Sequence, residues 1–93
     1  MKKTKRAIVL NKKDNVATML NDVNEGETVE IIFQGNRLLE IEAMDNIPFG
    51  HKISLKDINE AEKIVKYGEV IGVSVKKIRR GEHVHIHNIK SAF

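Results

Sequence analysis

The chain has 93 residues, a formal charge of +3, one tyrosine, and neither cysteine nor tryptophan. A chain this short buries only about 60–65% of the surface its unfolded form exposes, so residues 1–93 are read as one domain, too small to enclose a deep catalytic cleft alone. The missing cysteines exclude disulfides and thiolate metal sites and suit a reducing compartment. The apolar residues are mostly Ile, Val and Leu, a branched-aliphatic bias that favours pleated surfaces and a mainly β fold.

In chain order, Lys2, Lys3, Lys5 and Arg6 give a basic start, and residues 1–6 are expected to be a flexible N-terminus. The apolar run from Ala7 to Leu10 is too short for a signal peptide or a membrane span. The protein is therefore expected to be cytoplasmic, with no membrane partner. Ala7–Leu10 reads as an opening strand. Asp14 or Asn15 can cap a brief helix by accepting first-turn N–H bonds, with Val16, Ala17, Met19 and Leu20 as its apolar side. Thr28–Phe33 and Arg37–Ala43 flank Gln34-Gly35-Asn36, a hairpin in which Gly and Asn tolerate positive φ. Glu69–Lys76 alternates as a strand, and a last strand covers His83–Ile89. Lys76, Lys77, Arg79 and Arg80 read as a solvated basic face. No aromatic residues interleave with them as a base-stacking platform requires, which argues against nucleic acid.

One pattern recurs four times: Val23-Asn-Glu-Gly26-Glu-Thr-Val29, Ile47-Pro-Phe-Gly50-His-Lys-Ile53, Ile58-Asn-Glu-Ala61-Glu-Lys-Ile64 and Ile78-Arg-Arg-Gly81-Glu-His-Val84. Each is an apolar anchor, a tight reversal and a second anchor. Gly (Ala once) supplies the backbone freedom of the turn. The spacing predicts a compact β fold stitched from turns.

The visible chemistry is histidine. His83, His85 and His87 alternate with Val84 and Ile86, so on a strand the imidazoles share one face while Val84 and Ile86 meet the core. A His-x-His pair can converge on one metal ion at about 2.0–2.1 Å. On a straight strand the outer two lie roughly 13 Å apart, so one ion would take two of them. Further ligands would come from His51, a carboxylate or a partner chain. Polar filler on an exposed strand and adventitious metal affinity are the alternatives. His51-Lys52, at the tip of the turn opened by Pro48 and Gly50, can donate hydrogen bonds to an anionic oxygen; an ordinary polar turn is the bland reading. Lys66-Tyr67-Gly68 sets a cation and a phenol before a glycine break. Phosphate-loop, nucleophile-elbow and dinucleotide signatures are absent.

The runs Ile47-Pro-Phe-Gly-His-Lys-Ile-Ser-Leu-Lys-Asp-Ile58, Val65-Lys-Tyr-Gly-Glu-Val-Ile-Gly72 and Gly81-Glu-His-Val-His-Ile-His-Asn88, with Asp14-Asn-Val-Ala17 before them, resemble the SAF domain of altronate and galactarate dehydratases. The likeness covers roughly residues 7 to 90. It implies a compact β-clip with short helical turns. It also implies a divalent metal, iron or manganese, held partly or wholly by a large catalytic partner subunit. Ending at Phe93, the chain resembles the separate small-subunit form, also found in sulfolactate sulfo-lyases; alone it would be inactive, or a homo-oligomer. Carried over residue by residue, His51, His85 and His87 are candidate catalytic groups. Gly50, Lys52, Lys66, Tyr67 and Asn88 are substrate-binding candidates, and His83, His85 and His87 are metal candidates. The implied reaction is hydro-lyase chemistry on a hydroxy-acid anion, with sulfite elimination as the alternative. A non-catalytic module of the same fold that binds carbohydrate or protein is the second class of function.

Overall fold

A computed structural model describes residues 4–91. Nine strands make up its regular structure: β1 (Lys5–Val9), β2 (Val16–Met19), β3 (Thr28–Phe33), β4 (Asn36–Glu42), β5 (Lys52–Ser54), β6 (Lys63–Lys66), β7 (Glu69–Ser74), β8 (His83–Val84) and β9 (Ile89–Ser91). Six form one sheet in the order β4-β3-β1-β2-β5-β8, and three form a second in the order β6-β7-β9. The mainly β expectation holds, and among the described residues there is no helix. None is therefore long and apolar enough to cross a membrane. Of the expected flexible start, residues 1–3 lie outside the described residues, while Lys5 and Arg6 already pair with Val29 and Glu30 as part of β1.

The helix expected after Asp14 is strand β2. The reason lies in two cores rather than one. Ala17 and Met19 enter a cluster with Ala7, Val9, Val23, Val29, Ile31, Ile41, Ala43, Ile47 and Ile53. Val16 points the opposite way into a second cluster with Ile58, Ile64, Ile78 and Val84. A segment buried on both faces needs the two-residue alternation of a strand. Asp14 and Asn15 cap no helix. Asn15 exchanges side-chain bonds with Lys63 O and Val65 N–H, and Asp14 Oδ1 accepts from Gly68 N–H. Together they fasten the β6–β7 hairpin to the larger sheet.

The β3–β4 hairpin forms as expected, one residue out of register. Its positive-φ residues are Gln34 (52°) and Gly35 (77°) rather than Gly and Asn. Asn36 pairs with Phe33 as the first residue of β4, a two-residue type I′ turn whose twist matches the strands. The expected last strand is broken in two. β8 pairs with β5, whereas β9 crosses to pair with β7. The turn between them leaves Ile86 83% exposed instead of in the core beside Val84.

The fourfold pattern is the frame of the molecule. Its turns close through N–H bonds from Glu27 to Asn24 O, His51 to Pro48 O, Glu62 to Asn59 O and Glu82 to Arg79 O. Gly26, Gly50, Ala61 and Gly81 take φ of 89°, 85°, 70° and 90°, as the third residue of a type II turn requires. The turns meet in pairs through antiparallel bridges, Val23 with Ile47 and Ile58 with Ile78. In the first pair the side chains reciprocate: Glu25 N–H donates to Asn46 Oδ1 and Phe49 N–H to Asp22 Oδ1. In the second, Arg80 N–H donates to Asp57 Oδ1, while Lys77, which stands where the mate would be, cannot accept.

Ala61 has a Cβ where the left-handed backbone disfavours one. Ala61→Gly is expected to raise the urea unfolding midpoint, by up to about 1 kcal/mol in stability. At Gly81 an added Cβ would collide with the Glu42 carbonyl oxygen. Gly81→Ala is therefore expected to cost about 2–4 kcal/mol in the same measurement, through combined strain and overpacking.

Candidate functional site

Four imidazoles meet at one edge of the larger sheet. The His51 and His85 rings stack with centroids 3.9 Å apart, and His83 lies 5.1 Å from His51, 5.6 Å from His85 and 5.0 Å from His87. His51 Nδ1 and His83 Nε2 are 2.9 Å apart. That contact is a hydrogen bond only if one of the two nitrogens is unprotonated. The turn after β8 folds His87 back over His83, and this is why the outer histidines lie far closer than a straight strand would hold them.

Local sequence explains each placement. In three of the repeated turns the residue after the left-handed position is Glu. Its Oε1 accepts the N–H of the turn's first residue: Glu27 from Asn24, Glu62 from Asn59 and Glu82 from Arg79. The fourth turn begins with Pro48, which has no N–H to satisfy. Its last position is thereby released from capping and carries His51. Gly50 acts through the backbone; its positive φ makes the turn and its N–H bonds Met19 O.

The tail turn is held by Asn88. This side chain is 2% exposed; its Oδ1 accepts His85 N–H and its Nδ2 donates to His83 O. Both amide ends are spent on the backbone, so Asn88 sits beneath the histidines as a positioning residue and not at the ligand surface. Asp45, which the sequence did not single out, binds His83 N–H through Oδ2.

Burial comes first in shifting the electrostatics. It pushes the His83 imidazole down to about 4, helped by His87, His51 and His85 and opposed by Asp45. His85 is also lowered, by burial and then by His51, Lys52 and His87. At neutral pH these two rings are neutral and keep a lone pair. His85 Nδ1 is buried without a hydrogen-bond partner. One nitrogen from each of His51, His83 and His85 lies within 4.8 Å of the others.

Of the remaining candidates, Lys52 stands opposite Thr18 on the neighbouring strand. Lys66 Nζ sits 4.9 Å above the Tyr67 ring, and the Tyr67 hydroxyl is 3.2 Å from Thr18 Oγ1. Two groupings result: four histidines at the sheet edge, and a lysine–tyrosine patch next to them. Of the site residues expected from sequence, Asn88 is buried, whereas Gly50 is exposed and contributes its backbone to the turn. Thr18 and Asp45 were missed because an isolated Thr or Asp carries no spacing signal.

Depressed histidines make stability acid-sensitive in one direction. As pH falls below the usual histidine value of about 6.5, the unfolded chain takes up protons that His83 refuses until about pH 4. Unfolding is therefore favoured across that window and the dependence levels off below it. Urea unfolding of the native chain should lose stability more steeply between pH 6.5 and 4 than His83→Asn does.

Residues 5–92 match the family described as the altronate/galactarate dehydratase SAF domain. The chain is 45% identical over 60 residues to (2R)-sulfolactate sulfo-lyase subunit alpha of Chromohalobacter salexigens, covering 64% of each. It is 41% identical over 87 residues to altronate dehydratase of Bacillus subtilis, covering 94% of this chain but 16% of that enzyme. It is 36% identical over 61 residues to the sulfo-lyase subunit alpha of Paracoccus pantotrophus, 66% of this chain and 91% of that subunit. The chain thus spans under two thirds of the first relative and about a sixth of the second. With the expected four-turn β architecture and a match over nearly its whole length, this chain belongs to the altronate/galactarate dehydratase SAF domain family.

Proposed function

We propose that the chain is the small subunit of an altronate-type hydro-lyase, acting on a hydroxy-acid anion with a large catalytic partner. The supporting observation is the cluster of His51, His83, His85 and His87, gathered by two turns and open at His87. The relatives that supply a partner are a named subunit alpha and the end regions of far longer dehydratases.

The reaction removes the proton next to a carboxylate and expels a leaving group from the adjacent carbon. The C–H electron pair becomes the new carbon–carbon double bond, and hydroxide leaves as water once protonated. Neutral imidazole suits both transfers near neutral pH, since one nitrogen can accept while the other donates. We assign His51 and His85, stacked and half-buried, to contact with the reacting carbons. His87, exposed at the rim, is assigned to proton exchange with solvent.

The donor set also fits a divalent metal. His85 Nδ1 is a buried nitrogen without a hydrogen-bond partner, and the lowered His83 and His85 each have one lone-pair nitrogen to offer a cation. His51, His83 and His85 would hold it; with the ion bound, His51 and His85 would serve as ligands in place of the acid–base contact assigned above, and His87, outside the trio, would keep its proton-exchange role. The sequence reading offered His51 as a further ligand beside His83, His85 and His87, and one nitrogen from each of His51, His83 and His85 lies within 4.8 Å of the others. An all-imidazole set favours iron over manganese, which prefers oxygen donors. When bound, such an ion supplies Lewis-acid stabilisation of the developing enediolate.

The second reading is a sulfolactate sulfo-lyase subunit, favoured by the 91% coverage of the Paracoccus subunit. The same proton removal would then expel sulfite. Co-expression with the candidate large subunit, followed by assays on altronate and sulfolactate, separates the two. Turnover of altronate alone supports the first reading; turnover of sulfolactate alone overturns it. His85→Ala in the active pair is expected to lower kcat by about 10²-fold or more, the usual contribution of a positioned acid or base. His51→Ala is expected to reduce the iron that co-purifies with the pair, read by elemental analysis.

A further inference from the structure

The β6–β7 hairpin turns on Tyr67 and Gly68, with φ of 55° and 79°. Lys66 and Glu69 close it as a two-residue loop, the type I′ geometry that favours Asn-Gly. A bulky tyrosine at φ > 0 is an outlier for its side-chain class. Strain of this kind persists where the surroundings impose it and is concentrated at ligand sites. Here the surroundings are explicit: Asp14 and Asn15 clamp the hairpin against β2, which lays the Tyr67 hydroxyl against Thr18 Oγ1.

Around that hydroxyl the charge is one-sided. Lys52 shares Thr18's face of the sheet, because directly opposed residues of antiparallel strands point the same way. Lys66 covers the Tyr67 ring and lies within electrostatic reach of Lys52. Among the described residues the three ion pairs are Arg6–Glu30, Arg37–Glu40 and Lys56–Glu62. None involves Lys52 or Lys66, and Glu69, across the hairpin from Lys66, forms no ion pair with it. Lys52 and Lys66, both half-buried, thus adjoin the Thr18–Tyr67 hydroxyl pair with no carboxylate paired to them among the described residues.

We infer that Lys52, Lys66, Thr18 and Tyr67 form a carboxylate-binding subsite that anchors the anionic end of a polyhydroxy acid beside the imidazole cluster. The two ammonium groups neutralise the carboxylate, and the hydroxyl that accepts within the Thr18–Tyr67 bond keeps its own O–H free to fix the anion's orientation as a charge-assisted donor. His85, stacked on His51 and electrostatically coupled to Lys52, joins this subsite to the cluster. Burial and then Lys66 lower the Lys52 ammonium, so an arriving anion relieves a repulsion already present. The anchoring role deepens the hydroxy-acid reading given above, but its test does not require turnover.

The test is a titration of the full chain with sodium gluconate, followed by amide NMR shifts at Thr18, Lys52, Lys66 and Tyr67. Sodium chloride at equal ionic strength and the uncharged polyol glucitol are the controls. Saturable shifts at these four residues with gluconate alone are expected, weakened about tenfold or more in Lys52→Met and in Lys66→Met, as loss of a charged hydrogen bond implies. Tyr67→Asn should hold or raise the thermal midpoint, since Asn suits the turn, while weakening gluconate binding. Equal response to chloride, response to glucitol, or binding untouched by all three substitutions overturns the subsite. Gluconate binding that persists in a pair inactive on both substrates would overturn the lyase reading and leave the subsite standing.

Discussion

The structure depends on one constraint, a backbone that must turn through a left-handed residue four times and cross-bridge the turns in pairs. Each turn exposes N–H groups that a small β domain has little spare surface to satisfy. The turns of a pair lend Asx side chains across, in both directions in the first pair and from Asp57 alone in the second, and the apolar anchors beside them enter a core. Val23 and Ile47 serve the first cluster, Ile58 and Ile78 the second. These side-chain bonds are exposed, so it is the buried anchors and the Val23–Ile47 and Ile58–Ile78 bridges between them that fix the pairing of the turns.

The frame then explains why the chemistry sits where it does. Turns with identical roles in folding are not equally free to carry function. Three are capped by their own glutamate, and that carboxylate is occupied. The Pro48 turn has no amide to cap, and the released position is His51. Across from it, β8 begins at His83, fixed from outside by Asp45 and from below by Asn88. Exemption from a capping duty at one turn, together with a tail loop folded back on itself, brings four imidazoles together on strands and turns alone.

Much of this was legible in the sequence, and the failures have definite causes. The fourfold anchor pattern could be read because a left-handed turn needs Gly, or at some cost Ala, at a fixed distance from two buried positions. The β3–β4 hairpin could be read because Gly35 marks it, although Gln34 rather than Asn36 takes the second positive φ. Strand β2 could not, since Val16, Ala17 and Met19 look like one apolar side until two cores are known to exist. The histidines were correctly grouped for a wrong reason. Strand alternation was expected to align His83, His85 and His87, but Ile86 is exposed and a turn gathers them. Asn88 looked like part of the chemistry because it adjoins it; only its burial and two backbone bonds show that it holds the loop's shape.

The two groupings at this edge differ in how their geometry is enforced, and that difference bears on which of them needs a second polypeptide. The lysine–tyrosine patch is braced from within, by Asp14 and Asn15 on the hairpin and by the β2–β5 register beneath it. The histidine cluster is braced only from beneath and behind. Its outer member, His87, and the neighbouring Ile86 stand out from the surface with no described residue covering them. An apolar side chain in water beside a set of imidazoles is unfavourable on both counts, since solvent weakens the electrostatics of such groups and exposes surface that burial would stabilise. Closing that side removes both disadvantages at once. The physical asymmetry of the site is in keeping with the relatives this chain resembles, a named subunit alpha of a sulfo-lyase and a dehydratase of which it covers about a sixth: the patch is braced from within, and the histidine cluster is open on its outer side.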